Sequence, residues 1–233
     1  MQGPPLPDAL DAIVFDAGGT LIELDFVHIA ELARARGHQV EVMRLRRGEV
    51  AGRRAIDARA QRRGVVDDTD AIRIRGYFRH LLEAAGLAAD AAEPVASDVE
   101  AAHAESNLWR VPIDGALETV TQLRERGMRT AVVSNADGRA AATLAAAGLA
   151  RAFEHILDSH HEGVEKPEPE IFRRSLSRLG VEAPRAAYVG DIYSIDVVGA
   201  RSAGMLPVLV DPFDAFADAD CVRIRSLRDL LPR

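Results

Sequence analysis

The stretch VFDAGGTLIEL, residues 14–24, decides the fold. It begins as an apolar strand, reaches the carboxylate of Asp16, and continues through three small residues, 17–19, to Thr20. An acid and a glycine pair at the end of a buried strand are typical of the sheet edge where ligands bind. The glycines would let backbone N–H groups approach the oxygens of an anion closely.

Short apolar runs alternate with helical stretches along the second half of the chain. Together with AIVFD, these runs predict parallel strands at 12–16, 129–135, 155–159, 186–191 and 206–211. The segments between them predict helices at 114–127, 137–148, 168–180 and 195–204, each ending in glycine. This alternation predicts an α/β fold with a doubly wound, mostly parallel sheet.

Residues 25–109 interrupt the alternation and contain no good strand pattern. Helices are predicted at 26–36, 40–63, 69–85 and 92–107, with breaks at Gly37, Gly64 and Gly86. The segment 108–115 is expected to be a return linker, with Pro112 ending the last helix. We therefore expect an α/β core domain of residues 1–22 and 110–233, and an inserted helical domain of residues 23–109.

Composition excludes several classes of protein. The net charge of −7 argues against general binding of nucleic acid. No apolar run approaches the ~20 residues that span a bilayer, and the first ten residues do not form a signal peptide. The single cysteine excludes an internal disulfide, so a cytoplasmic location is expected. The basic residues are 28 arginines and one lysine, Lys166, which makes that lysine conspicuous.

Polar residues with a capacity for chemistry recur where the predicted strands end. They are Asp16, Ser134 and Asn135, Lys166, Asp191 and Asp196. Each also has a simpler structural explanation. Ser134, Asn135 and Asp191 could cap helices, Asp196 could be a first-turn acid, and His160 and His161 are expected on a surface loop. Because the carboxyl ends of parallel strands meet at one edge, we expect the polar residues at the strand ends to form one site.

In their order and spacing these segments resemble the haloacid dehalogenase superfamily of phosphohydrolases and phosphotransferases, along the whole chain. The resemblance implies that the helical domain is a cap and that Asp16 is a nucleophile forming an aspartyl-phosphate. It also implies phosphate binding by Gly18, Gly19, Thr20, Ser134, Asn135 and Lys166. A Mg²⁺ ion would be held by Asp16, the Gly18 carbonyl and Asp191, with Asp196 as an auxiliary ligand. The implied substrate is a small phosphorylated metabolite, and the protein is expected to be a monomer or a homodimer.

One position departs from the pattern of the family's phosphatases. They place a second aspartate, the general acid/base, where this chain has Gly18. The leading prediction is an Mg²⁺-dependent hydrolase of a small organic phosphomonoester, and a weak or inactive phosphate binder is the alternative. A 2-haloacid dehalogenase is disfavoured because Gly190 and Asp191 are kept, and a phosphonatase because the cap has no lysine. Glu23, Asp25 and His28 are candidate replacements for the acid.

Overall fold

The computed structural model describes residues 9–63 and 70–232. Its internal contacts divide the chain into two compact units. The first, called here the α/β unit, comprises Met1–Glu23 and Arg110–Arg233, and the second, the helical unit, comprises Leu24–Trp109. Within the described ranges, none of the helices is both long enough and apolar enough to cross a membrane.

Eight strands are present in the described residues. In chain order they are β1 (Ala12–Phe15), β2 (Ile22–Leu24), β3 (Trp109–Pro112), β4 (Arg129–Ser134), β5 (Ile156–Asp158), β6 (Ala186–Gly190), β7 (Leu206–Val210) and β8 (Val222–Ile224). Six of them form one sheet in the order β5-β4-β1-β6-β7-β8, and every pair in it is parallel. The predicted α/β class and doubly wound parallel sheet are therefore confirmed.

All five strands predicted from the sequence are found, shortened by one or two residues at their ends. Strand β8 was not predicted, because it is three residues long and lies at the sheet edge. The segment 108–115, expected as a linker, instead contains β3, which forms a two-stranded sheet with β2. The prediction that Pro112 ends a helix is also wrong, because the preceding helix stops at Glu105 and Pro112 ends β3.

Helices follow the strands as the sequence pattern indicates. Those of the α/β unit are α5 (Ala116–Glu125), α6 (Ala140–Ala146), α7 (Ser159–Glu162), α8 (Pro169–Leu179) and α9 (Val198–Ser202). The prediction of one helix over 195–204 is partly wrong, since a π-helical turn, Tyr193–Val197, precedes α9. His160 and His161 lie in α7 and not in a loop, because Asp158 caps that short helix.

The sheet is buried on both faces, as its near-continuous apolar strands require. On one face, Val14, Val133 and Tyr188 from the three central strands pack against Phe172 of α8 and Ala200 of α9. Strand β1 lies between β4 and β6, which is the point where the strand order reverses. Ligands of doubly wound sheets bind at such a switch point, outside the carboxyl ends of the strands.

The helical unit has its own apolar core. Its helices are α1 (Phe26–Ala35), α2 (Val42–Arg63), α3 (Asp70–Ala84) and α4 (Ala89–Glu105). Phe26, Ile29 and Ala33 lie on one face of α1 and are buried in that core. Gly37 and Gly86 lie where the helices break, whereas Gly64 lies outside the described residues.

Candidate active site

Asp16 is the first residue after β1 and lies at the switch point of the sheet. Its backbone N–H donates to the carbonyl of Val189 in β6, at 2.8 Å, which fixes the strand end next to its neighbour. Only 7% of the residue is exposed. A buried carboxylate is costly unless it is paired, so the partners of Asp16 define the site.

Lys166 is the partner of Asp16, although 150 residues separate them in sequence. The Lys166 Nζ lies 2.6 Å from Asp16 Oδ1, 2.7 Å from Asp196 Oδ1 and 2.9 Å from the hydroxyl oxygen of Tyr188. An ammonium group has three N–H donors, and these three contacts use all of them. The lysine is 2% exposed, so its charge is held in a fixed position inside the protein.

The surroundings change the pKa values of the two central groups. Burial lowers the pKa of Lys166, but the charges of Asp16 and Asp196 outweigh it, so its pKa lies above the usual value. The lysine therefore stays protonated. Burial raises the pKa of Asp16, and the nearby Asp196 charge adds to this, while Lys166 opposes it. More positive charge beside Asp16 would therefore favour its ionised form.

Asp196 is held by the turn that precedes α9. Its Oδ2 accepts hydrogen bonds from the backbone N–H groups of Asp191, at 3.0 Å, and Ile192, at 2.9 Å. The π-helical turn returns the side chain to these amides, and such turns are frequent at functional sites. Both carboxylate oxygens of Asp196 are thus engaged, and they position Lys166 and the Asp191 backbone.

Gly190 allows this close return of the chain. A Cβ atom at Gly190 would lie 2.3 Å from Asp196 Cγ, a separation that real atoms do not tolerate. The glycine before Asp191 is therefore required by the position of the Asp196 carboxylate.

Gly19 is required for a similar reason at the end of β1. Its φ of +73° is in the left-handed region, and a Cβ there would lie 2.4 Å from Asp191 Oδ2. The Gly19 N–H, which the sequence suggested for phosphate binding, instead donates to the carbonyl of Ile22 at 2.7 Å. Gly19 thus shapes the turn and makes room for Asp191.

Gly18 and Thr20 complete this turn. The bridge between Gly18 and Ile22 uses backbone groups of Ala17, Gly19 and Ile22, and none of Gly18's own. The Gly18 carbonyl is therefore not consumed by the bridge. Thr20 is fully buried, and its hydroxyl has no hydrogen-bond partner among the residues that the structure describes.

Ser134 and Asn135 follow β4 but have different surroundings. Ser134 is buried at the strand end, next to Asp158 of β5. The Asn135 side chain binds the backbone of Lys166 on both sides, since its Oδ1 accepts from the N–H at 2.8 Å and its Nδ2 donates to the carbonyl at 2.9 Å. The Asn135 side chain therefore positions the backbone of Lys166, and its contact with phosphate stays a prediction.

Sequence reasoning missed two residues of this region. Tyr188 is fully buried and donates its hydroxyl hydrogen to the carbonyl of Val133, at 2.9 Å, while it accepts from Lys166. Asp158 accepts from the N–H groups of Gly138 and Ala140, so it orders the loop that follows β4. The signal for Tyr188 was present as a hydroxyl within an otherwise apolar strand.

The donor atoms present suit a hard divalent cation. Carboxylate oxygens of Asp16, Asp191 and Asp196 all lie within 4.8 Å of one another, and all three residues are buried. Oxygen donors of this kind are those that Mg²⁺ prefers. Because Asp196 is engaged by Lys166 and two amides, Asp16 and Asp191 are the two carboxylates best suited to hold the ion.

Of the three residues considered as replacements for an acid at position 18, Asp25 has a clear structural task. Asp25 caps α1 by accepting from the N–H of His28, at 2.9 Å. The imidazole of His28 lies 3.7 Å from the carboxylate of Glu31 on an exposed part of the same helix. Glu23 lies in β2 and is partly exposed.

The comparison with known families agrees with this geometry. The profile of the haloacid dehalogenase-like hydrolases matches residues 10–204, and the chain belongs to this family. It is therefore a member of a hydrolase family, and solved members of this superfamily share the α/β fold described above.

Proteins similar to this chain include a hydrolase domain-containing protein and a phosphatase. Mouse haloacid dehalogenase-like hydrolase domain-containing protein 3 is 38% identical over 161 residues, 66% of this chain and 63% of that protein. The phosphoserine phosphatase of Thermus thermophilus is 37% identical over 159 residues, 66% of this chain and 61% of that protein. The chain spans 48–63% of the length of the mammalian relatives that it matches.

Solved structures share the fold along nearly the whole chain. A hydrolase of this superfamily from Bacillus subtilis, solved with bound magnesium, has a TM-score of 0.63 and 22% identity, covering 95% of this chain and 96% of that chain. Solved 2-haloacid dehalogenases from Pseudomonas syringae and Xanthobacter autotrophicus, 24% and 19% identical, share this fold with TM-scores of 0.57 and 0.58. Similarity at this level establishes the fold and leaves the reaction to be argued from the residues.

Proposed function

We propose that this protein is an Mg²⁺-dependent phosphohydrolase that transfers the phosphoryl group of a small phosphorylated metabolite to Asp16 and then to water. The observation that carries the proposal is the contact of one buried ammonium, Lys166, with both Asp16, at the end of β1, and Asp196, in the turn before α9. Phosphoryl transfer depends mainly on positioning and on stabilising charge, which such a group supplies.

In the proposed reaction the two oxygens of Asp16 have different tasks. Its Oδ1 accepts from Lys166, so Oδ2 is the oxygen left to attack phosphorus. Attack forms the aspartyl-phosphate, and the bond from phosphorus to the leaving oxygen breaks. In this proposal Lys166 supplies positive charge beside the phosphate, and the hydroxyls of Ser134 and Thr20 donate hydrogen bonds to the phosphate oxygens.

The cation would be held by Asp16, Asp191 and the Gly18 carbonyl. When bound, Mg²⁺ supplies positive charge that stabilises the phosphate oxygens and favours the ionised form of Asp16. Asp196 acts indirectly, because it positions Lys166 and the backbone of Asp191. We assign the helical unit, Leu24–Trp109, the role of a cap that selects the substrate.

Two alternative functions are distinguished from this one by the assay described below. A phosphate binder with little turnover is favoured by one observation, the glycine at position 18. A 2-haloacid dehalogenase shares the fold but is disfavoured, because the carboxylates of Asp191 and Asp196 suit a cation that phosphoryl transfer needs.

The test is release of inorganic phosphate from a panel of phosphomonoesters, with Mg²⁺ and after chelation. We expect turnover with the metal, loss after chelation, and no turnover by Asp16→Asn. The matched control is Asp11→Asn, because Asp11 is exposed at the opposite end of β1 and pairs with Arg185. Phosphate binding without turnover would indicate the binder, and halide release from 2-haloacids the dehalogenase.

A further inference from the structure

The chemistry available around Asp16 narrows the class of substrate. An alkyl phosphate leaves behind a strongly basic oxygen, which must be protonated as the bond to phosphorus breaks. General acid catalysis of this kind is worth about 10²–10⁴-fold in rate. Position 18, two residues after Asp16, is a glycine and supplies no such acid.

Lys166, which contacts Asp16, and Tyr188, which contacts Lys166, are already engaged in hydrogen bonds. All three N–H donors of Lys166 are used, by Asp16, Asp196 and Tyr188. The single hydroxyl hydrogen of Tyr188 is donated to the carbonyl of Val133. Neither group has a free donor aimed at a departing oxygen.

Asp196 is equally committed, because its two oxygens accept hydrogen bonds from Lys166 and from two backbone amides. Asp191 is assigned to the cation. The side chains of Lys166, Tyr188 and Asp196 therefore offer no proton to a departing oxygen, although the charge of Lys166 remains beside Asp16.

We propose that the preferred substrates are phosphates with a weakly basic leaving oxygen, namely acyl and aryl phosphates, and that alkyl phosphates are turned over poorly. This inference rests on the proposed function. Asp16 Oδ2 forms the new bond to phosphorus, and the leaving oxygen takes the bonding electron pair and departs as a carboxylate or phenolate, without a proton. Water then attacks phosphorus, its proton passes to solvent, and Asp16 is released as a carboxylate.

The backbone at position 18 permits a direct test. Gly18 is not among the glycines with positive φ, so residues with side chains can adopt its conformation. Gly18→Asp introduces an acid, and Gly18→Asn introduces a side chain of the same size without one. Far-ultraviolet circular dichroism and thermal unfolding establish that each variant is folded.

The experiment measures kcat/KM with Mg²⁺ for aryl phosphates whose phenols differ in acidity, for acetyl phosphate and for glycerol phosphate. We expect the kcat/KM of the wild type to fall steeply as the leaving group becomes more basic, by roughly 10³-fold or more across the series. Gly18→Asp should raise the rate for glycerol phosphate about 10²–10⁴-fold and change that for the most activated aryl phosphate less than tenfold. Gly18→Asn should not raise the rate for glycerol phosphate.

The outcomes separate this inference from the proposed function. A kcat/KM of the wild type that changes little with the basicity of the leaving group would overturn the inference, because some other residue would then supply the acid. The proposed hydrolase function would still stand. Glu23→Gln tests that case, since a slope that steepens in this variant identifies Glu23 as the acid and equally overturns the inference. No turnover of any phosphate, activated or not, would overturn the proposed function itself.

Discussion

Replacing Tyr188 by phenylalanine tests whether the network around Lys166 matters for the reaction. The substitution removes one hydrogen bond with a charged group, from Lys166 at 2.9 Å, and one neutral bond, to the Val133 carbonyl at 2.9 Å. The ring keeps its edge contact with Phe172, at 4.8 Å between centroids, so no cavity forms. Such bonds contribute about 1.5–3 and 0.5–1.5 kcal/mol, so we expect unfolding to become easier by about 2–4 kcal/mol.

The expected effect of Tyr188→Phe on activity is smaller than its effect on stability and falls mainly on kcat. Lys166 keeps its contacts with Asp16 and Asp196, so its charge stays in the site, but the ammonium loses its third anchor. We expect kcat to fall about tenfold, which is about 1.4 kcal/mol, with a smaller change in KM. Denaturant unfolding and steady-state kinetics measure the two effects.

Thr130→Val is the matched control for Tyr188→Phe. Thr130 lies on β4 at the end opposite to Ser134, and its buried hydroxyl donates to the carbonyl of Ala152 at 2.7 Å. This variant should lose about 1 kcal/mol of stability and keep its kcat. If Tyr188→Phe also kept its kcat, the hydroxyl would be a structural feature only and the reasoning would be refuted.

Three further substitutions test the turn after β1 and the position of Lys166. Gly19→Ala should lose at least about 1–2 kcal/mol of stability because its backbone is strained. It should also bind Mg²⁺ more weakly in calorimetry, because its Cβ displaces Asp191. Unchanged Mg²⁺ affinity would count against Asp191 as a ligand of the ion. Thr20→Val should stabilise the metal-free protein by about 1–3 kcal/mol and lower kcat/KM, because a buried hydroxyl is lost; full activity would remove Thr20 from the site. Asn135→Ala should lower kcat more than it weakens phosphate binding, since it loosens the backbone of Lys166. A loss confined to phosphate affinity would indicate that Asn135 contacts the phosphate directly.

The sheet was predictable from the sequence because its strands are buried on both faces. Runs such as AIVF and AAYVG are apolar along their length, which distinguishes them from the amphipathic helices between them. Strands β2, β3 and β8 lack that signal, since each has three or four residues and includes polar or partly exposed positions. Short pairings of this kind are decided by contacts between distant segments.

The candidate site was predictable only in outline. Strand ends placed Asp16, Lys166 and Asp191 at one edge, and the structure brings Lys166 onto Asp16 directly. The tasks of Asn135 and Tyr188 depend on hydrogen bonds spanning 31 and 22 residues to Lys166, which no local pattern encodes.

The turn before α9 was hidden for a different reason. Its sequence has the period of an ordinary helix, and the widened π-helical turn forms only because Asp196 returns to the amides of Asp191 and Ile192. A regular helix over 195–204 was therefore the natural expectation. The π-helical turn, which replaces the first turn of that helix, holds the Asp196 carboxylate in contact with Lys166.

The most direct test of the central claim is to trap the covalent intermediate during turnover. Protein mixed with Mg²⁺ and acetyl phosphate is quenched in acid, treated with borohydride, which reduces an acyl phosphate to an alcohol, and digested for peptide mass spectrometry. The account predicts reduction at Asp16, in the peptide that includes VFDAGGTLIEL, and none in protein without the phosphate donor. Continued turnover with Asp16 unmodified, or with the label on another residue, would contradict it.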